Sequence, residues 1–475
     1  MDISVVVHSF RRLAIAALLA ASLWSSAAFA QGEPTTQTPP PAASASYHIS
    51  EAEAKELFRS VDLILKFASD HSGLPIHHEV KKKLATREEV QSYLQRRMHD
   101  AGNERFDRMG RSLEKLGLLP KGFKLREYML SLYKEQVEGW YDPKSKTVFL
   151  LDWVPPEAQK PVMAHELTHA LQDQNYGLEK WLNVGADTHD DTAQTVIDEQ
   201  REARQSIVEG QAMVVLFDYM LAPNGQSVED DPAAAGILRQ GITEEGSDNT
   251  YAHAPICLRE TMLFPYTFGT DFALHVLARR GRQAAFAGVM EHPPLDTHQI
   301  MEPAAYLSGE PQRTIRVVPV EKVLGAGWRR EDLSGLGEVD LRVILRQWAN
   351  DEAAKMATNW RGGYYAVLSQ KGHAPAPQGQ GSAPLPMVLV LKLDSAASAR
   401  KFAAIYEAEL PRRYQKVQPG KSPGEWETEE GTVRMVVEGS AIIALESFAP
   451  ADAARLLPAL RESVHEDVEI PEAVQ

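Results

Sequence analysis

From about residue 47 to residue 306 the apolar positions recur mostly at helical spacing. The segment SEAEAKELFRSVDLILKFAS opens with Ser50 and Glu53, the reciprocal pair of a capping box. It carries an apolar stripe through Leu57, Val61, Ile64, Leu65 and Ala68, which predicts a helix with one buried face. In PVMAHELTHALQDQ, residues 161–174, a helical projection places Val162, His165, Glu166, His169 and Asp173 on one side. Met163, Leu167, Ala170 and Leu171 fall on the other, forming the stripe that a helix buries. Further on, Ile207, Val208, Val214, Val215 and Leu216 mark a helix that must be largely buried, with Gly210 and Ala212 small enough to admit a close neighbour. One hairpin interrupts the helices: residues 137–141 and 147–151 are β-rich and flank the turn residues Asp142, Pro143, Lys144 and Ser145.

After about residue 313 the period changes. Strands are predicted at YYAVLSQ, PMVLVLKL, TVRMVVEG and AIIALESF, and helices at 395–410 and 451–464, with a Gly- and Pro-rich loop over 371–386. The expected fold class is α+β: a mainly helical domain over 47–310 with a small β-hairpin, then a C-terminal α+β sandwich domain over 311–468. The length also favours more than one core. No internal repeat or heptad pattern is present.

The first thirty residues stand apart. Arg11 and Arg12 precede a short apolar run that ends in AFA, the pattern of a signal peptide cut after Ala30, so the expected location is periplasmic or secreted. Residues 31–46 read as a disordered linker. No later segment reaches the roughly 18 uninterrupted apolar residues of a membrane span. A formal net charge of -15 argues against nucleic acid as a partner. The only cysteine, Cys257, lies between Ile256 and Leu258 and reads as a small buried hydrophobe.

Chemistry concentrates in HELTH. His165 and His169 are one turn apart on one face, which lets two imidazole nitrogens converge on one ion, and Glu166 beside them suits a general base acting on a water. Chance gives such a match at a rate of roughly 6% in a chain of this composition, so a plain solvated helix face stays open on these residues alone. A third ligand is sought on the buried helix, where Glu209 needs a partner. Zinc is one such partner, and Arg201, Arg204 or Arg259 is the ordinary alternative. Two histidines and one glutamate would leave one position for water. Asp173, on the ligand face, is a candidate to orient a ligand. Tyr266 is the leading candidate to stabilise an oxyanion, ahead of His298 and Tyr306. The acidic run Asp187 to Asp191 offers a calcium site or, more simply, a solvated loop.

At these motifs the chain resembles the gluzincin-type H-E-x-x-H metallopeptidases, and more closely an uncharacterised family of secreted bacterial metallopeptidases. The resemblance runs from about residue 138 to residue 306 through GWYDPKSKTVFL, HELTHALQDQ, EGQA, APICLRETMLFPYTFGTDF and PPLDTHQIMEPAAY, with a weaker echo at NWRGGYYAVL. It implies Zn²⁺ held by His165, His169 and Glu209, with Glu166 as catalytic base. It also implies an edge strand at 147–151 along which an extended peptide substrate pairs, with an ordinary core hairpin as the equal alternative. Where that family reads Ser-Thr-Glu-Gln-Ile followed by His-Pro, this chain has Asp296, His298 and Glu302, and no role carries over there. The expected activity is hydrolysis of a peptide or protein substrate. A silent envelope binding protein and a zinc hydrolase of a non-peptide substrate are the alternatives, and retention of Glu166 weighs against the first of these.

Overall fold

The computed structural model describes residues 47–468 apart from 138, 186–187, 244–249, 373–383 and 467. The expected signal peptide and linker, and most of the 371–386 loop, lie outside the described residues.

Helix α1 (Glu51–Ser72) begins at the Ser50 and Glu53 capping box, and its buried positions include Leu57, Val61, Ile64, Leu65 and Ala68, the stripe that the sequence marks. Helices α2 (Arg87–Ala101), α3 (Asn103–Lys115) and α4 (Leu125–Gln136) follow β1 (Lys81–Ala85). The hairpin forms as β2 (Trp140–Asp142) and β3 (Thr147–Leu151), but β1 adds to it in parallel, giving the order β1, β3, β2. Strand β3 is therefore the middle strand, which corrects the expectation that it is a free edge for substrate. It is paired along its whole length by β1 and over Thr147–Phe149 by β2. The lysines of β1 belong to an outer strand, where charge discourages unwanted pairing.

Three long helices carry the rest of this part: α5 (Pro156–Tyr176), α6 (Asp191–Leu221) and α7 (Ile256–Gln283). Helices α6 and α7 approach so closely that a Cβ on Gly210 would sit 2.1 Å from the Gly269 carbonyl oxygen, and one on Gly269 2.1 Å from that of Ser206. Glycine at both positions is what admits this crossing. The short helix α8 (Thr297–Met301) packs beside them.

The remaining chain forms one antiparallel sheet of seven strands: β4 (Trp328–Gly335), β5 (Trp360–Gln370), β6 (Met387–Leu393), β7 (Val417–Pro419), β8 (Glu425–Thr428), β9 (Gly431–Glu438) and β10 (Ala441–Glu446). Their order is β4, β5, β6, β10, β9, β8, β7. The pleat sorts the side chains: Met387, Leu389 and Leu391 of β6 join Phe402 and Tyr406 of α10 (Ala396–Arg413) on one face. Val388 and Val390 join Leu456 and Leu460 of α11 (Pro450–Ser463) on the other. The molecule is thus mixed α+β. The core on the first face is continuous with that of the helical part, through α9 (Glu338–Trp348) and the helices before it. Among the described residues, no helix is long and apolar enough to cross a membrane.

Candidate metal centre

Helix α5 starts with Pro156 in its first turn and ends at Gly177, whose φ of 65° suits the left-handed cap. Every residue from Val162 to Asp173 is buried. The sequence projection gave this helix one apolar and one polar face, and the structure buries both. A solvated face bearing two histidines is therefore not what HELTH forms. The polar side of α5 lies against α6, also buried along most of its length, and Glu209 is completely enclosed.

The structure brings His165, His169 and Glu209 together. His165 Nε2 lies 3.2 Å from Glu209 Oε2, His169 Nε2 lies 3.3 Å from the same oxygen, and the two Nε2 atoms are 3.0 Å apart. Four-coordinate zinc with bonds of about 2.0–2.1 Å separates its ligand atoms by roughly 3.3 Å, so the triangle has the dimensions of one face of that tetrahedron. The donor set, two imidazoles and a carboxylate, also suits that ion, and the residues present fit it. Of the arginines weighed as partners for Glu209, Arg204 stacks on Trp181 and donates to its carbonyl. Among the described residues no Lys or Arg forms an ion pair with Glu209. Its other hydrogen bond comes from Gln205 Nε2 at 2.5 Å.

The charges of the three groups are interdependent. Burial pushes the Glu209 carboxyl up, but the two imidazoles outweigh it and hold the group well below the usual carboxylate range. Burial lowers His165, and the neighbouring His169 adds to that. Burial also opposes charge on His169, yet the Glu209 carboxylate outweighs it and raises this ring.

Glu166 sits next to the triangle. Its Oε2 accepts the backbone N–H of Tyr141 at 2.7 Å, so β2, the outer strand of the small sheet, fixes where the carboxylate stands. Tyr266 of α7 is buried with its ring nearly parallel to that of His165, the centroids 6.1 Å apart. The other candidates go elsewhere. Asp173 accepts from Tyr141 Oη at 2.8 Å, Lys146 Nζ at 2.5 Å and the Leu178 N–H at 3.0 Å; it ties the hairpin to α5 rather than orienting a histidine. Tyr306 donates to the His292 carbonyl and packs on Phe272. His298 Nδ1 meets Glu338 Oε2 at 2.5 Å in a separate buried cluster that also holds Asp296 and Glu199. Burial pushes the Glu338 carboxyl up to about 9. Asp190 caps α6 and Asp191 pairs with Arg330, which accounts for the described part of the acidic run. Cys257 is buried, and burial pushes its thiol up to about 12.

Sequence reasoning missed Gln172 and Gln211. Gln172 Oε1 meets His169 Nδ1 at 2.9 Å, and Gln172 Nε2 donates to Gln211 Oε1 at 2.8 Å. The available signal was spacing, since Gln172 follows His169 by three positions and so shares its helix face.

A family model described as a domain of unknown function (DUF8575) matches residues 324–457, which is the part of the chain that builds the seven-stranded sheet and not the metal centre. No curated protein and no solved structure matches the chain.

Proposed function

We propose that this chain is an exported zinc-dependent metallopeptidase of the gluzincin type, acting in the periplasm or outside the cell. The observation that carries this reading is the buried triangle of His165 Nε2, His169 Nε2 and Glu209 Oε2 at 3.0 to 3.3 Å, with a second carboxylate, Glu166, alongside. His165, His169 and Glu209 would hold the ion. Zinc bound there supplies Lewis acidity, which brings the pKa of water down towards about 7 and polarises a carbonyl. The chain's own residues do the rest. Glu166 takes the proton of the attacking water on its carboxylate and delivers it to the leaving amine, and the Tyr141 N–H holds that carboxylate in place. Tyr266, beside His165, is the candidate hydrogen-bond donor to the oxyanion.

Export is proposed from the arginine pair, apolar run and AFA of the first thirty residues. A peptide or protein is the proposed substrate, and with β3 enclosed between β1 and β2 its backbone does not pair with that strand.

The test is hydrolysis of casein and of small esters by residues 31–475 beside Glu166→Gln. Peptide hydrolysis in the wild type, reduced about 10³-fold or more in the variant while zinc stays bound, is the expected result. Turnover of esters alone would replace the peptidase reading with that of another zinc hydrolase. Zinc bound without any turnover would point to a binding protein.

A further inference from the structure

Behind His169 lies a chain of hydrogen bonds whose direction is set from its far end. Helix α7 loses regular geometry at Gly281, with φ 78°, and the chain then makes a wide π turn over Ala284–Gly288. Two carbonyl oxygens of that turn, those of Ala285 and Phe286, accept from Gln211 Nε2 at 2.8 and 3.0 Å. A carbonyl oxygen only accepts, so the amide nitrogen of Gln211 must face the turn and its Oε1 must face Gln172. Gln172 then presents its own Nε2, which donates to Gln211 Oε1 at 2.8 Å and to the Val208 carbonyl at 3.1 Å. That leaves Gln172 Oε1 against His169 Nδ1 at 2.9 Å. An amide oxygen also only accepts, so Nδ1 carries a proton. Gln172 and Gln211 are both 0% exposed, and flipping either amide would set oxygen against oxygen.

We infer that Gln172 and Gln211 are positioning residues, which keep the proton of His169 on Nδ1 and so keep the Nε2 lone pair turned towards His165 and Glu209. This rests on the metal-centre reading proposed above and adds what prepares the ligand. Three backbone carbonyls dictate the tautomer through two neutral amides. A carboxylate is the more familiar partner of a ligating histidine. An amide orients the ring as well but adds no negative charge to that of Glu209 and Glu166. His165 has no such support. Among the described residues its buried Nδ1 has no hydrogen-bond partner.

The experiment is long-range ¹H–¹⁵N spectroscopy of the imidazoles in the full chain, metal-free and zinc-loaded, together with zinc affinity. The inference expects a proton on His169 Nδ1, protected from exchange, at every pH where the chain is folded, whether or not the ring is charged and whether or not zinc is present. Gln172→Leu should lose that protection and weaken zinc binding about 10- to 100-fold. Gln211→Leu should do the same to a smaller extent. The double variant should be no weaker than Gln172→Leu alone, since the two amides act in series. A neutral His169 with its proton on Nε2 in the wild type would overturn the inference, as would Gln172→Leu with unchanged affinity and an unchanged Nδ1 proton. If Gln172→Leu does not fold, the wild-type spectrum still decides. A wild type that binds no zinc would sink the proposed function, while the metal-free spectrum would still judge the two glutamines.

Discussion

Among the glutamates of the described residues that are fully withdrawn from water, Glu446 in the sheet and Glu209 in the helices are accommodated by different means. Glu446 of β10 receives Arg413 Nη2 on both oxygens at 2.7 Å, has Lys115 Nζ at 3.5 Å, and accepts from the hydroxyls of Tyr406 and Tyr414. Burial would push its carboxyl up, but Arg413 and then Lys115 outweigh burial and hold it at about 2. The chain supplies all the positive charge this carboxylate needs. Glu209 is met by two imidazoles and a neutral amide, groups that are charged only on protonation or not at all. At Glu446 the surroundings complete an ion pair. At Glu209 they converge donor atoms on a point, an arrangement that could hold a metal ion.

Changes on the two sides should therefore have opposite signatures. The largest effect is expected at the sheet. Arg413→Met leaves Glu446 buried without its main partner, and the cost should be about 3–5 kcal/mol of unfolding free energy in a denaturant titration, with zinc content unchanged. No loss of stability would mean that the pair is incidental. Acid should reach the same carboxylate next. With its folded pKa about 2 and an ordinary value of 4.5, Glu446 contributes stability that is fully present above about pH 4.5 and is lost as the pH falls towards about 2. The span corresponds to about 3 kcal/mol, and Glu446→Gln should show a correspondingly shallower acid limb. The smallest change in stability belongs to the helices. In the metal-free chain Glu209→Gln loses the attraction of the two imidazoles for the carboxylate but strands no charge, so its shift in unfolding free energy should be smaller than that of Arg413→Met. The proposed site predicts that zinc raises the Tm of the wild type and that Glu209→Gln abolishes this rise. A large destabilisation of the metal-free variant would place Glu209 in the same class as Glu446.

The elements read most directly from the sequence are those whose pattern is local. Helix α1 announces itself through Ser50, Glu53 and a regular stripe, and β5, β6, β9 and β10 through runs of β-branched and aromatic residues. The ligand pair is legible for the same reason, because His165 and His169 are one turn apart. Glu209 is legible because an acid inside an apolar helix requires a partner. What the sequence conceals is long-range. Strand β1, with three lysines in five residues, has no strand pattern of its own and forms because β3 offers it an edge. Strands β4 and β8 are charged for a similar reason, lying towards the margins of the sheet. Asp173 shares the ligand face in projection, yet Lys146 and Tyr141 of the hairpin claim it first. Spacing places Gln172 beside His169, but the amide orientation that gives it its role is set by Val208 and Gln211, 36 and 39 positions away.

The most direct test of the account is the metal content of purified residues 31–475, measured beside Glu209→Gln and Arg413→Met under the same conditions. The account expects one zinc per chain in the wild type and in Arg413→Met, and none in Glu209→Gln. A wild type that takes up no zinc, or a Glu209→Gln variant that holds it as tightly, would contradict the claim that this buried triangle is a metal centre.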